Sequence, residues 1–188
     1  MAADILLLVR AQSIPTLAAA ERRVTFEDLV RVHQDEVYGL ALRILGDRDT
    51  ALEVANTAFL KAYRAFDRYD PARPVRHWLL RIASNEAISA GRRISRDRAR
   101  SAGADSALTV ADARPGPDTV AIGREDAAAI RRAVLALPDL YRVPVVLRYF
   151  NDLAVEDIAR VTGRPASTVG VQLLRARALL RSALEGQA

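Results

Sequence analysis

The side chains that could do chemistry are mostly guanidinium groups. From Ile158 to Leu184 there are five arginines, at 160, 164, 175, 177 and 181, and neither Asp nor Glu. A second cluster, Arg92, Arg93, Arg96, Arg98 and Arg100, is opposed only by Asp97. Guanidinium forks fit phosphate oxygens and base edges, so both clusters suit a polyanionic partner. A solvated face or a helix end with favourable cations explains either cluster alone, although solvated faces normally mix signs. Ahead of the second cluster, Tyr69, Arg73, Arg76 and His77 lie in or beside a proline-containing loop, with Asn85 beyond. Aromatic, amide and guanidinium groups around a loop are suited to holding unstacked bases of single-stranded DNA. Other chemistry is poorly represented. There is no cysteine, which excludes disulfides and thiolate ligands, and His33 and His77 are isolated and read as structural or surface residues. With no phosphate loop and no nucleophile–base pair, no catalytic residue, metal site or cofactor is expected.

The C-terminal cluster sits on a recognisable spacing. In Val155-Glu-Asp-Ile-Ala159-Arg-Val-Thr-Gly163-Arg-Pro-Ala-Ser-Thr-Val169, a small residue, a glycine and a β-branched residue fall four and six positions apart. A helix-turn-helix needs this pattern: Ala159 lets the second helix approach, Gly163 takes the left-handed turn, and Val169 plugs the angle. Pro165 suits the opening turn of the second helix. An ordinary helical hairpin is the plainer reading. If Val169, Leu173, Ala176 and Leu180 face inward, then Ser167, Thr168, Val171, Gln172 and Arg175 point toward a groove.

The elements that must position these groups read as helices throughout, without β-alternation or repeats. Thr25-Phe-Glu-Asp28 can cap a helix burying Phe26, Leu29, Val30, Val37, Leu40, Ala41 and Ile44 and ending at Gly46. Asp47 or Asp49 can cap a second, burying Ala51, Val54, Ala55, Ala58, Phe59, Ala62 and Phe66. After a loop from Asp67 to Pro74, a third carries Trp78, Leu79, Ile82 and Ala83 inward and runs to about residue 98. Residues 101–123 are Ser-, Ala-, Gly-, Asp- and Pro-rich and read as a flexible linker. Helices over Glu125–Leu137, Asp139–Phe150, Val155–Thr162 and Pro165–Leu184 follow, with Pro144 expected to delay or kink the second of these.

The 188-residue chain therefore reads as all-α, two small helical domains joined by a flexible linker: extension 1–24, domain 25–100, linker 101–123 and domain 124–188. Its net charge is +5, and Lys61 is the only lysine among 28 cations, a bias that genomic base composition could also produce. The apolar run Ile5 to Val9 is too short to span a bilayer and wrong for a signal peptide, so a cytoplasmic protein with no membrane insertion is expected.

The order of motifs resembles regions two and four of the extracytoplasmic-function (ECF) sigma factors of the sigma-70 family. The first block matches through Val37-Tyr-Gly-Leu-Ala-Leu-Arg-Ile-Leu-Gly-Asp-Arg-Asp49, Phe59-Leu-Lys-Ala-Tyr-Arg-Ala-Phe66 and His77-Trp-Leu-Leu-Arg-Ile-Ala-Ser-Asn85. The second matches through Leu137-Pro-Asp, Val146-Leu-Arg-Tyr-Phe-Asn-Asp-Leu, Asp157-Ile-Ala, Thr168-Val and Leu173-Leu-Arg-Ala-Arg-Ala-Leu-Leu-Arg181. The resemblance implies a non-enzymatic initiation factor whose partners are core RNA polymerase, promoter DNA and an anti-sigma factor. It puts Glu53, Asn56, Thr57 and Lys61 toward the polymerase clamp. The loop Asp67 to Arg76, with Tyr69, Arg73, Arg76, Asn85, Arg92 and Arg93, goes to the minus-ten element. Arg164, Ser167, Thr168, Gly170, Val171, Gln172 and Arg175 go to the minus-thirty-five element. The chain departs from the family pattern with Asn56-Thr57 for Gln-Glu, Leu52 at an acidic position, Gly170-Val171-Gln172 for Lys-Ser-Arg, and Leu174 for His. Two other readings are a helix-turn-helix regulator that never engages polymerase and a sigma-like adaptor that does not read a promoter.

Overall fold

The computed structural model describes residues 25–70, 72–101 and 121–185, the side chains of the last stretch from residue 126. The N-terminal extension and most of the expected linker lie outside the described residues. Helix α1 spans Phe26–Leu45, α2 Arg48–Ala65, α3 Val75–Ser101, α4 Ala121–Ala136, α5 Asp139–Tyr149, α6 Val155–Thr162 and α7 Ala166–Glu185. A single 3-10 turn, Phe66–Arg68, follows α2. Among the described residues there is no strand.

Local chemistry explains the helix ends. Thr25 Oγ1 accepts from the Asp28 amide at 3.2 Å, and Asp47 Oδ1 accepts from the Thr50 amide at 2.8 Å, so each oxygen satisfies an amide that the first helical turn leaves free. The α1 stripe is the one the sequence predicts, Phe26, Leu29, Val30, Val37, Leu40, Ala41 and Ile44, all buried. Small side chains let α2 and α3 approach closely: Ala51, Ala55, Ala58 and Ala62 on one, Ala83, Ala87 and Ala90 on the other, all buried. Phe26, Tyr63, Phe66, Tyr69 and Trp78 close the end of this three-helix unit, Phe26 meeting Tyr63 edge-on at 5.2 Å and Tyr69 meeting Trp78 at 5.0 Å.

In the second block α4 begins at Ala121 rather than at Glu125. Helix α5 does not start late; it runs from Asp139 with Pro144 inside. A proline there removes the bond to the carbonyl four residues earlier. That carbonyl, of Leu140, receives Arg164 Nη1 at 3.4 Å instead. Five consecutive residues of α5, Val143 to Leu147, are buried, because α5 is packed on several sides.

The two blocks lie against each other. Their buried residues form one continuous cluster, from Phe26 and Leu80 in the first block to Leu147, Ile158 and Val169 in the second. The helices of each block also bury apolar side chains at the seam. Helices α4 and α5 pack on α1, and α6 packs on α3.

Candidate nucleic-acid interface

The helix-turn-helix is α6, a turn at Gly163 and α7. Gly163 has φ 68°, and no atom lies within 4 Å of where a Cβ would stand, so backbone conformation and not crowding calls for glycine. Ile158, Val161 and Val169 fill the angle between the helices. The outer face of α7 presents Ser167, Thr168, Val171 and Arg175 to solvent, with Leu174 61% exposed beside them. An open depression of about 450 Å³ runs along it, lined by Leu140, Tyr141, Ser167, Thr168, Val171, Gln172 and Arg175.

Gln172 is the exception to the expected groove face. It is 5% exposed, and its Oε1 accepts from Arg164 Nη1 at 3.2 Å. The reason is helical phase. Position 172 lies three residues after Val169 and four before Ala176, so it falls inside the buried stripe Val169, Gln172, Leu173, Ala176. The pairing also fixes the amide, since a guanidinium only donates. Arg164 itself is half-buried, holding Gln172 and the Leu140 carbonyl, and is not a free phosphate ligand.

In the first block the candidate residues fall into three states. Arg73, Asn85, Arg92 and Arg93 are exposed, Arg73 beside Asp70 at 3.4 Å. Tyr69 is half-buried, its hydroxyl donating to the Arg73 carbonyl and its ring parallel to Phe66; burial, then the neighbouring Asp70 charge, push its pKa up. Arg76 is engaged: Nε donates to Glu36 Oε1 at 2.9 Å and Oε2 at 3.1 Å, and Nη2 to Glu36 Oε1 and the Asn151 carbonyl, both at 2.5 Å. On α2, Glu53 and Lys61 are exposed and tied to α3, Glu53 to Arg93 at 3.4 Å and Lys61 to Glu86 at 2.5 Å. Asn56 and Thr57 are half-buried between them, and Asn56 Oδ1 is buried without a hydrogen-bond partner.

Sequence alone assigned no joining role to the residues that tie the blocks together, Arg76 and His77 among them. Glu36 sits at their centre. Burial raises its pKa, but hydrogen bonds from His33, Arg76 and Asn151 together with the Arg76 charge outweigh this and hold it at about 2. His77 Nδ1 lies 3.4 Å from Asp157 Oδ1, an ion-pair distance without hydrogen-bond geometry. Arg142 crosses to the Ile44 carbonyl at 2.7 Å, and the Arg43 guanidinium stands 4.7 Å over the Phe150 ring. Among the described residues no cluster of His, Cys, Asp and Glu could hold a metal ion, and no helix is long and apolar enough to cross a membrane.

Comparison with known proteins accounts for both blocks. The Sigma-70 region 2 family matches residues 29–97 and the Sigma-70, region 4 family matches residues 127–180. The chain is 34% identical over 166 residues to the ECF RNA polymerase sigma factor SigW of Bacillus subtilis, covering 85% of this chain and 88% of that protein. The chain belongs to the ECF sigma factors of the sigma-70 family. A further relative, the RNA polymerase sigma-H factor of Pseudomonas aeruginosa, is 32% identical over 169 residues, covering 85% of this chain and 86% of that factor. The fold matches the sigma factor RpoE solved with the anti-sigma factor NepR from Bartonella quintana, with TM-score 0.72 at 20% identity over 87% of this chain and 98% of that one. It also matches CnrH solved with the cytosolic domain of CnrY, with TM-score 0.66 at 23% identity over 99% of each chain. As an ECF sigma factor the chain is a DNA-binding protein of transcription initiation, and the relatives it matches are sigma factors rather than enzymes.

Proposed function

We propose that this sigma factor binds core RNA polymerase through the polar face of α2, engages the minus-ten element with the loop ahead of α3, and reads the minus-thirty-five element with α7. The working units are residues 25–100 and 124–188, acting in the cytoplasm under the control of an anti-sigma factor. The observation that carries the reading is the outer face of the helix-turn-helix. Hydroxyls at Ser167 and Thr168, an apolar Val171 and a cationic Arg175 are presented together, with no carboxylate between Ile158 and Leu184. Glu53, Asn56, Thr57 and Lys61 form the polymerase-facing strip. Tyr69, Arg73, Arg76, Asn85, Arg92 and Arg93 surround the minus-ten strand.

With Gln172 turned inward, base reading by α7 falls to Ser167, Thr168 and Val171, and Val171 suits a thymine methyl. Gly170 has open space where a Cβ would stand, so no internal contact requires glycine, and its bare backbone leaves room for DNA to approach. A minus-thirty-five element rich in A·T, with Arg175 the chief phosphate contact, is the expected target. Run-off transcription from genomic fragments with purified core polymerase tests the reading, since it demands core binding, promoter reading and melting together. Polymerase binding without any specific start would favour the adaptor reading, for which exposed Val171 and Leu174 supply an apolar docking face.

A further inference from the structure

One side chain ties together the three helices α5, α6 and α7. Arg164 stands in the turn between α6 and α7, where its own amide and that of Gly163 both donate to the Ala159 carbonyl and pin its backbone to the end of α6. Its guanidinium reaches the other two helices from a single nitrogen. Nη1 donates to Gln172 Oε1 of α7 at 3.2 Å and to the Leu140 carbonyl of α5 at 3.4 Å. Each acceptor has a reason to need it. Pro144 has no N–H to offer the Leu140 carbonyl, and Gln172 is 5% exposed, so its amide oxygen must find a donor inside the protein. No carboxylate lies between Ile158 and Leu184 to draw the guanidinium away. Leu140 and Tyr141 form one wall of the open depression along α7, and Ser167, Thr168 and Val171 form the other. Arg164 spans the two walls.

We propose that Arg164 is a positioning residue for minus-thirty-five reading, one that sets the lean of α7 against α5 and touches no DNA itself. The proposal rests on α7 being the reading helix. The chain enters α7 through Gly163, a left-handed turn with φ 68°, and Ser167, Thr168 and Val171 lie in the opening turns of the helix, nearest the tie. Hydroxyls and a methyl that meet base edges are short and need the helix in one place, whereas the long Arg175 side chain can follow a phosphate through a change of lean. Loss of the tie therefore costs sequence discrimination and leaves the number of phosphate contacts as it was. A guanidinium that itself held a phosphate would behave in the opposite way, weakening every duplex alike.

The full chain is first offered a randomised duplex pool. Anisotropy across a salt titration then compares its affinity for the enriched duplex with that for a scrambled one. Arg164→Met keeps the aliphatic stem and removes both donors. It should lower the enriched-to-scrambled affinity ratio roughly tenfold, comparable to misreading one base pair, with the salt slope and the scrambled-duplex affinity unchanged. Because both bonds leave from one nitrogen, no fork is needed, and Arg164→Lys should restore most of the ratio. Gln172→Leu removes the α7 arm of the tie alone and should lower the ratio without changing which duplex is preferred, which keeps the test open if Arg164→Met does not fold. Circular dichroism fixes a temperature at which the variants are folded, and urea unfolding reads stability separately. A salt slope flatter by about one unit, with both duplexes weakened alike, would make Arg164 a phosphate ligand and overturn the proposal. A lower urea midpoint at an unchanged ratio would make the tie structural only and overturn it equally. A pool from which the unaltered chain enriches no duplex overturns instead the reading of α7 on which the proposal rests.

Discussion

Arg142 should be among the most costly single side chains to remove from this fold. Its guanidinium donates to the Leu135 carbonyl at 2.5 Å, to Leu137 at 2.7 and 3.1 Å, and to Ile44 at 2.7 Å. These carbonyls belong to the C-terminal ends of α4 and α1, so one cation neutralises two helix termini and joins the blocks. Burial pushes its pKa down and Asp139, 3.4 Å away, pushes back, but an arginine stays charged throughout. Arg142→Met keeps the aliphatic stem and strands three carbonyls. Each bond to a charged donor contributes about 1.5–3 kcal/mol. Water entering through the 18% of the side chain that is exposed recovers part, as does relief from burying a charge. The net loss should be about 3 kcal/mol, with Arg142→Lys recovering about half because an ammonium cannot fork across three acceptors. Urea unfolding followed by circular dichroism measures it, as a lower midpoint at unchanged slope. A loss under about 1 kcal/mol for Arg142→Met would refute the double-cap argument.

Glu53→Lys should weaken co-purification with core polymerase across a salt titration yet shift stability by less than about 0.5 kcal/mol, because its pair with Arg93 is largely exposed. Gln172→Ala should cost about 1–2 kcal/mol through the stranded Arg164 and leave the enriched minus-thirty-five sequence unchanged. Arg175→Ala should instead flatten the salt dependence of duplex binding by about one unit of slope without loss of stability. Acid should open the seam. Glu36, faced by His33 on its own helix, Arg76 from α3 and Asn151 from the α5–α6 loop, is held at about 2 against an ordinary 4.5. Its contribution is complete above 4.5 and is lost as pH falls through about 2. Allowing for solvent screening, that contribution is on the order of 1–2 kcal/mol. Urea unfolding of Glu36→Gln at a series of pH values should lack this acid step, and an identical step in both proteins would contradict the assignment.

The α1 and α2 stripes, the caps at Thr25 and Asp47 and the turn at Gly163 were legible because each depends on neighbours within one or two helical turns. Gln172 was misread for an equally local reason. A strict stripe of four apolar residues ignores a polar residue at the same phase, and burial of an amide needs a donor eight positions away, here Arg164. Val143 to Leu147 could not be phased at all, because a helix covered on several sides has no polar face to mark its period.

The seam between the blocks was illegible for a different reason. Arg76 and Arg142 bond backbone carbonyls 75 and 98 positions away, and such bonds constrain residue type at the arginine only. The residue supplying the carbonyl can be of nearly any type, so no spacing rule detects it. The apolar side of the seam is equally silent: Gly46 stands against Leu135, and a Cβ at residue 46 would come within 3.0 Å of that side chain. Read alone, Gly46 is explained as the end of α1 and Leu135 as part of a helix. The two blocks are thus joined in part by arginines whose partners across the seam are backbone carbonyls.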